Sequence, residues 1–300
     1  MEPEPGNPQE IEGVLNPAAA RGPDGELYLF PRLVAKDNYS RIGIARVRFN
    51  EAGDPAGVER LGIALEPEAD YERRPDGGGG CEDPRITFVE PLQRYVMTYT
   101  AFSPRGPRIA LAVSENLFHW QRLGLATFST YHGIELDDVD DKDASLFPVA
   151  IPNPSGQPEL AATPVSAWER LKIGGGTPPI LTRHGWLVIY HGVSVPADTN
   201  SEARQLCYSA GVMVLSKKHP QVLRYRSAKP VLTPELPQER RGTIANVVFP
   251  TGIDRRADLG TPDRFDVYYG MADNRIGVTR FDMPDILPSG AVADPPEATV

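Results

Sequence analysis

The residues best suited to chemistry fall in four short stretches. The sharpest is GGGGCEDPRITF, Gly77 to Phe88. Its glycines permit a tight turn or a close backbone approach, and Glu82, Asp83 and Arg85 then surround Pro84. Proline fixes its own φ and pushes the residue before it toward extended backbone, so Asp83 is expected to be held stiffly beside a second acid. A carboxyl so placed can have a raised pKa, which suits a general acid. Composition alone favours a plainer reading, a surface turn closed by an Asp–Arg pair. The second stretch, DDVDDKDASLFP from Asp137 to Pro148, reads first as a solvated acidic loop. Its spacing does not match an EF-hand calcium loop, but Lys142-Asp143, just before an apolar run, puts a cation at a strand mouth where an anion could be met. The third, GGGTPPILTRHGWLVIYHGV from Gly174 to Val193, offers glycine N–H groups that could cradle a phosphate, although no Gly-Lys-Ser/Thr of a Walker loop follows. His191 ends its apolar strand, a place where histidine is more often a structural hydrogen-bonder than a ligand. The fourth, YYGMADNRIGVTRF from Tyr268 to Phe281, reads first as a hairpin with Asp273-Asn274 at its turn. An inward-facing Asp is the functional alternative.

Other chemistries find no support. The histidines at positions 119, 132, 184, 191 and 219 form no His-x-x-x-His pair and no Cys-x-x-Cys occurs, so no metal site and no metal cofactor are expected. No Gly-x-Ser-x-Gly nucleophile elbow appears.

The elements that must position these residues read as strands. Gly and Pro, 28 and 31 in 300 residues, punctuate short runs rich in Val, Ile, Tyr and Phe, which suit a pleated, half-buried surface. Strands are expected at Glu26–Leu33, Arg41–Phe49, Arg94–Ala101, Arg108–Val113, Ser145–Ile151, Gly185–Val193, Tyr208–Leu215, Asn246–Ile253, Arg264–Met271 and Arg275–Phe281. Ser166–Lys172 could make a helical turn or two, but no segment sustains a 3.6-residue period with caps at both ends. A weak repeat links RYVMTYTAFSPRGPRIALAVS, WLVIYHGV with YSAGVMVLS, and FDVYYGMADNRIGVTRF. Each is an apolar-aromatic strand, a polar turn and a second strand with small residues, a plan that suggests blades around an axis over a β-sandwich. The chain is read as a single domain over 1–300, with loosely attached tails at about 1–10 and 289–300.

Bulk properties set limits. Apolar residues are 40% and charged residues 24%, enough for an ordinary core without disulfides. A net charge of -9 gives no basic footprint for nucleic acid. Two cysteines, Cys81 and Cys207, fit a reducing compartment. The first residues, MEPEPGNPQE, lack the basic and apolar regions of a signal peptide, and no run approaches a membrane span. A soluble, cytoplasmic protein is expected.

Taken together the motifs resemble glycoside hydrolase family 130, the β-mannoside phosphorylases and related β-mannosidases. In order they are Asn16-Pro17-Ala18, Phe30-Pro31-Arg32, Tyr39-Ser40-Arg41-Ile42-Gly43, Glu82-Asp83-Pro84-Arg85, Lys142-Asp143 before Leu146-Phe147-Pro148, Gly174 to Pro179, Tyr190-His191-Gly192-Val193, Tyr208, Pro250-Thr251-Gly252, and Tyr269-Gly270 with Ala272-Asp273. The resemblance implies a five-bladed β-propeller with its site at the central funnel. It implies Asp83 as proton donor, acting through the sugar 3-hydroxyl, with inorganic phosphate as co-substrate attacking the anomeric carbon with inversion. The products would be α-mannose 1-phosphate and the sugar released from a β-1,4- or β-1,2-linked manno-oligosaccharide or mannosyl-glucose. Asn16, Arg32, Arg41, Glu82, Arg85 and Asp273 would then hold the sugar, and Lys142, His191 and Tyr208 the phosphate. No other cofactor is implied. Pro-rich ends that join subunits in some relatives leave a homo-oligomer open.

The chain departs from the family pattern twice. Lys142-Asp143 stands where many phosphorylases have Arg-Asn, and the usual Leu-His-Arg-Pro segment has no counterpart in PELAATPVSAWERLKIGGG. Loss of cations from an anion site keeps two alternatives in play. One is an inverting β-mannosidase that uses water and a second acid from Glu135, Asp137 or Asp143. The other is a carbohydrate-binding propeller without catalysis.

Overall fold

The computed structural model describes residues 1–75, 77–130, 133–137, 139–152, 162–195 and 206–291. Its strands run as antiparallel meanders, because each apolar run is followed by a Gly-, Asp- or Asn-bearing turn that reverses it. The first blade holds β1 (Gly13–Arg21), β2 (Leu27–Ala35), β3 (Tyr39–Phe49) and β4 (Pro55–Leu65). The second holds β5 (Gly79–Val89), β6 (Arg94–Ser103), β7 (Gly106–Ser114) and β8 (Gln121–Leu125). A later blade is built from β9 (Lys172–Gly174), β10 (Ile180–Thr182), β11 (Gly185–Ser194), β12 (Cys207–Leu215) and β13 (Leu223–Arg226). The last has β14 (Val248–Arg255), β15 (Arg264–Met271) and β16 (Arg275–Asp282). The three repeat segments are the hairpins β6–β7, β11–β12 and β15–β16.

Five chain segments run side by side along the axis: β1, β5, residues 142–149, residues 172–181 and β14. Their first halves line one cavity, through Asn16, Asp83, Asp143, Lys172 and Phe249. Their second halves line another, of about 390 Å³, through Ala19, Ile86, Pro148, Pro178 and Ile253. Five sectors therefore surround the centre. The third sector contains no named strand among its described residues, and Ser145–Ile151, expected as a strand, is not one. Pro148 and Pro152 cannot donate to a ladder, and the carbonyls of Ala144, Leu146 and Pro148 are taken instead by Thr98 Oγ1, Thr87 Oγ1 and the Glu90 N–H. The expected helical turn survives as Ala167–Glu169.

Residues 1–10, expected to hang loosely, are held. The Met1 ammonium donates to the Ile276 carbonyl at 2.8 Å, and the Ile276 N–H returns a bond to Met1. Glu10 is buried against Arg60 at 2.8 Å. This joins the chain start to β16 and closes the ring. Of the C-terminal tail, residues 292–300 lie outside the described residues.

A second device ties each linker to its blade. Glu72, Glu169 and Glu239 are buried. Each accepts backbone N–H groups from the residues three and four before it. Each also accepts a tyrosine hydroxyl, from Tyr99, Tyr190 and Tyr269 respectively. Those tyrosines are the sixth residues of β6, β11 and β15. Arg122 and Arg226, on the outer strands β8 and β13, complete the first two clamps. Truncating such an acid strands a buried arginine and a hydroxyl, so Glu169→Ala should cost about 3–5 kcal/mol in urea unfolding. Glu59→Ala, which removes only the surface partner of Arg46 and Arg48, should leave the midpoint in place.

Candidate active site

The polar cavity at the axis has a volume of about 160 Å³ and is lined by Asn16, Arg32, Glu82, Asp83, Lys142, Asp143, Lys172, Tyr208, Phe249 and Asp273, among others. Backbone irregularity aims several of these inward. Asn16 and Asp83 each precede a proline, sit where the strand register shifts, and have φ of 44° and 45°. The expectation of an extended Asp83 is thus overturned. The bulge needs a left-handed residue, and Asn and Asp tolerate that region better than bulkier residues. Two bonds hold the conformation: Asn16 Nδ2 donates to Asp83 Oδ1 at 2.9 Å, and Arg85 Nη1 donates to the Asp83 carbonyl at 2.8 Å. Ala272 and Asp273, at φ 48° and 49°, make the β15–β16 turn, so Asp273 is both a turn residue and a cavity wall.

Charges of both signs meet here. Arg32 donates to Glu82 at 2.8 Å and to Asp83 at 3.4 Å, and its Nε donates to Ser40 Oγ. Burial pushes the Asp83 pKa up, but Arg32, Arg85, Asn16 and Lys142 together outweigh it and hold the carboxyl below its ordinary value. Sequence reasoning expected the opposite shift, because it counted the neighbouring acid and not the cations folded onto it. The raised groups are Glu82, through burial and then Asp83 despite Arg32, and Asp273, which burial and Asp83 push up to about 6. The Asp273 carboxyl makes no hydrogen bond among the described residues. Lys142 and Lys172 form no ion pair there either, leaving two ammonium groups on the wall for an anion.

The other expected residues stand back from the cavity. Arg41 is engaged by Glu66 at 2.9 Å and lies over the Tyr39 ring. Arg85 is 1% exposed and spans the axis, donating to the carbonyls of Gly175 and Gly176 and to Asp143 Oδ1 at 3.2 Å. His191 is fully buried, 4.4 Å from the Phe249 ring centroid. Burial lowers its pKa to about 4, so the ring is neutral. Its Nδ1 faces the Gly175 carbonyl at 3.2 Å and carries the proton, which leaves Nε2 a lone pair with no partner among the described residues. A Cβ on Gly174, Gly175 or Gly176 would overlap His191, Asp143 or Ile189, so these glycines allow close packing at the axis. Glu135 and Asp137 are exposed and bond to Thr130 and the Phe128 N–H. Of the three acids considered for activating water, Asp143 is the one on the cavity wall. Lys172 was missed, although a lysine two residues before a glycine run mirrors Lys142 at its own strand mouth. No His, Cys, Asp and Glu cluster among the described residues could hold a metal.

The axial cavity of this propeller thus carries paired carboxylates, an arginine held by them, and two lysines without an ion pair among the described residues, a wall suited to a polar ligand. The model of glycoside hydrolase family 130, described as beta-1,4-mannooligosaccharide phosphorylase, matches residues 4–157 and 153–289. The 1,2-beta-oligomannan phosphorylase of Thermoanaerobacter sp. is 32% identical, over 93% of each chain. A beta-1,2-mannobiose phosphorylase of the same organism is 34% identical, over 68% of this chain and 67% of that one. Among solved structures, a glycoside hydrolase fold from Parabacteroides distasonis superposes with a TM-score of 0.74 at 25% identity, covering 95% of this chain and 94% of that one. Beta-1,2-mannobiose phosphorylase from Listeria innocua gives 0.68 at 19%, covering 94% and 96%. The chain belongs to glycoside hydrolase family 130, and its fold is that family's five-bladed β-propeller. The two matched stretches meet at 153–157, in the sector where the Leu-His-Arg-Pro segment has no counterpart. Residues 153–161 of that sector lie outside the described residues.

Two outcomes follow from this geometry. The folded Asp273 pKa lies above its unfolded value, so the cost of its charge is absent below about pH 4 and grows as pH rises to about 6. Asp273→Asn should therefore stabilise the protein by on the order of 2 kcal/mol at pH 8 and leave it unchanged at pH 4, read by calorimetry. A Cβ on Gly270 would overlap Asn16 Oδ1. Gly270→Ala should therefore displace Asn16 from Asp83 and lower turnover about tenfold or more, with the propeller still folded by circular dichroism.

Proposed function

We propose that this enzyme cleaves β-linked mannosides by phosphorolysis with inversion, releasing α-mannose 1-phosphate. The observation that supports it best is the make-up of the cavity wall, where Asp83 with Asn16 and Arg32 shares one small space with Lys142, Lys172 and Tyr208. The matches to mannoside phosphorylases supply the substrate class. In this reading the sugar lies against Asp83, Asn16 and Arg32, and Lys142, Lys172 and Tyr208 form the phosphate side. Asp83, in its acid form once substrate has displaced water, protonates the departing glycosidic oxygen by way of the sugar 3-hydroxyl. Phosphate, held by the two ammonium groups and the Tyr208 hydroxyl, attacks the opposite face of the anomeric carbon. Because the nucleophile arrives as an anion, no second carboxylate has to deprotonate it, and one acid suffices.

Asp143 favours a second reading, hydrolysis. It brings a carboxylate to the phosphate side, where many phosphorylases carry an amide, and its pairing with Arg85 neutralises that guanidinium. An inverting hydrolase needs such a second acid to activate water.

The two readings separate on one substitution. Product analysis with β-1,2- and β-1,4-mannobiose should give mannose 1-phosphate only when phosphate is present. Asp143→Asn should lower the phosphate KM several-fold, since a like charge leaves the anion's neighbourhood. Free mannose at equal rates with and without phosphate, abolished by Asp143→Asn, would establish the hydrolase. Asp83→Asn should cost about 10²–10⁴ in kcat by either route.

A further inference from the structure

The phosphate side of the cavity contains a group that a plain anion site would not keep. Lys142, Lys172 and Tyr208 can donate hydrogen bonds, and Asp143 stands on the same wall. A carboxylate paired with a guanidinium is an acceptor only. Against a bare oxyanion it sets lone pair against lone pair and charge against like charge. Three observations show that this acceptor is built in. First, Asp143 cannot turn away. Its φ of 68° holds the left-handed region, and Arg85 Nη2 donates to its Oδ1 at 3.2 Å. That guanidinium is 1% exposed and is itself fixed by the carbonyls of Asp83, Gly175 and Gly176. Second, one oxygen is left over. The side chain is only 8% exposed, yet Oδ2 accepts no hydrogen bond among the described residues. Third, the lysines do not cancel it. Its ion pair is with Arg85, and neither Lys142 nor Lys172 shares it among the described residues. The wall therefore keeps donors and one acceptor side by side.

We infer that Asp143 selects the anion. The site takes a tetrahedral oxyanion that carries a hydroxyl, such as hydrogen phosphate or hydrogen arsenate, and turns sulfate away. The inference rests on the phosphorolytic reading for its occupant and specifies which ion that reading admits. The P–OH group donates to Asp143 Oδ2, and the oxygens without hydrogen accept from Lys142, Lys172 and Tyr208. Phosphate keeps a hydrogen across the neutral range; sulfate has none. A site built to pair with a ligand hydroxyl rejects an analogue that lacks it, because a buried group is then left unpaired. The same contact orients the nucleophile. The protonated oxygen is drawn to Asp143, so the oxygen turned toward the anomeric carbon is a bare, anionic one.

The test uses ions of equal charge. Hydrogen phosphate, sulfate and monofluorophosphate are all tetrahedral dianions at slightly alkaline pH, and only the first has a hydrogen to donate. Mannose 1-phosphate release from β-mannobiose by the full chain is followed with sulfate or fluorophosphate competing against phosphate. In the wild type both Ki values should exceed the phosphate KM by about a hundredfold or more. Asp143→Asn keeps an oxygen for Arg85 and so turns an N–H toward the anion. It should lower both Ki values by about thirtyfold or more, and the phosphate KM by several-fold only. Equal falls in all three constants would mean that charge alone acts, and would overturn the inference. A wild type that sulfate inhibits as tightly as phosphate binds overturns it too, whatever the variant does. Calorimetric titration of phosphate and of sulfate, without sugar, separates the inference from the reading beneath it. Phosphate bound and sulfate refused, with no mannose 1-phosphate formed, would sink phosphorolysis and keep the selection. Mannose 1-phosphate formed with no preference between the ions would do the reverse, and a site that binds neither ion would sink both.

Discussion

A single buried cation organises the centre of this molecule. Arg85 cannot shed its charge, so folding must surround it with acceptors. It finds them in different sectors: the Asp83 carbonyl on its own strand, Asp143 in the third sector, and Gly175 and Gly176 beside β9. The Phe249 ring of β14 lies 5.7 Å beneath its carbon. Breaking any one contact leaves a charge in a dry interior, where the cost is several kcal/mol. Four of the five axial segments thus take their positions from one guanidinium. The left-handed backbone of Asp83 persists because that same group grips its carbonyl.

The rim obeys a different logic. Glu72, Glu169 and Glu239 saturate their oxygens with backbone N–H groups, a tyrosine and, in two cases, an arginine, so nothing remains for a ligand. At the axis, donors and acceptors are left deliberately unequal. Four carboxyls and three cations share one small wall, and Asp273, Lys142 and Lys172 have no fixed partner among the described residues. Saturated ionic groups give the blades their stiffness. Unsaturated ones give the cavity its capacity to bind and to exchange protons.

Much of this was legible in the residues. The central strands β2, β3, β6, β7, β11, β12 and β15 announced themselves by apolar and aromatic runs, because they lie between other strands and are largely buried, and the edge strand β16 by its alternation of apolar and polar residues. The axial strands β1 and β5 did not, since Asn16-Pro17 and Asp83-Pro84 interrupt them and proline argues against a strand. The interruption is the bulge that aims the functional side chain, so the same residues that build the site hide the strand carrying it. The edge strands β4, β8 and β13 are too polar to signal burial. Arg85 and His191, singled out by the resemblance, stand behind the wall and not on it, a difference that depends on which face of a strand meets the axis and that no local pattern encodes. The clamp glutamates gave a usable signal that passed unread: a tyrosine at the sixth position of three repeated strands.

Arg85 also marks a change along β5. Glu82 and Asp83, before it, line the polar cavity, and Ile86, Thr87 and Phe88, after it, line the second space of about 390 Å³. One strand thus serves two spaces of different character, and the guanidinium that fixes its bulge sits at the change from one to the other.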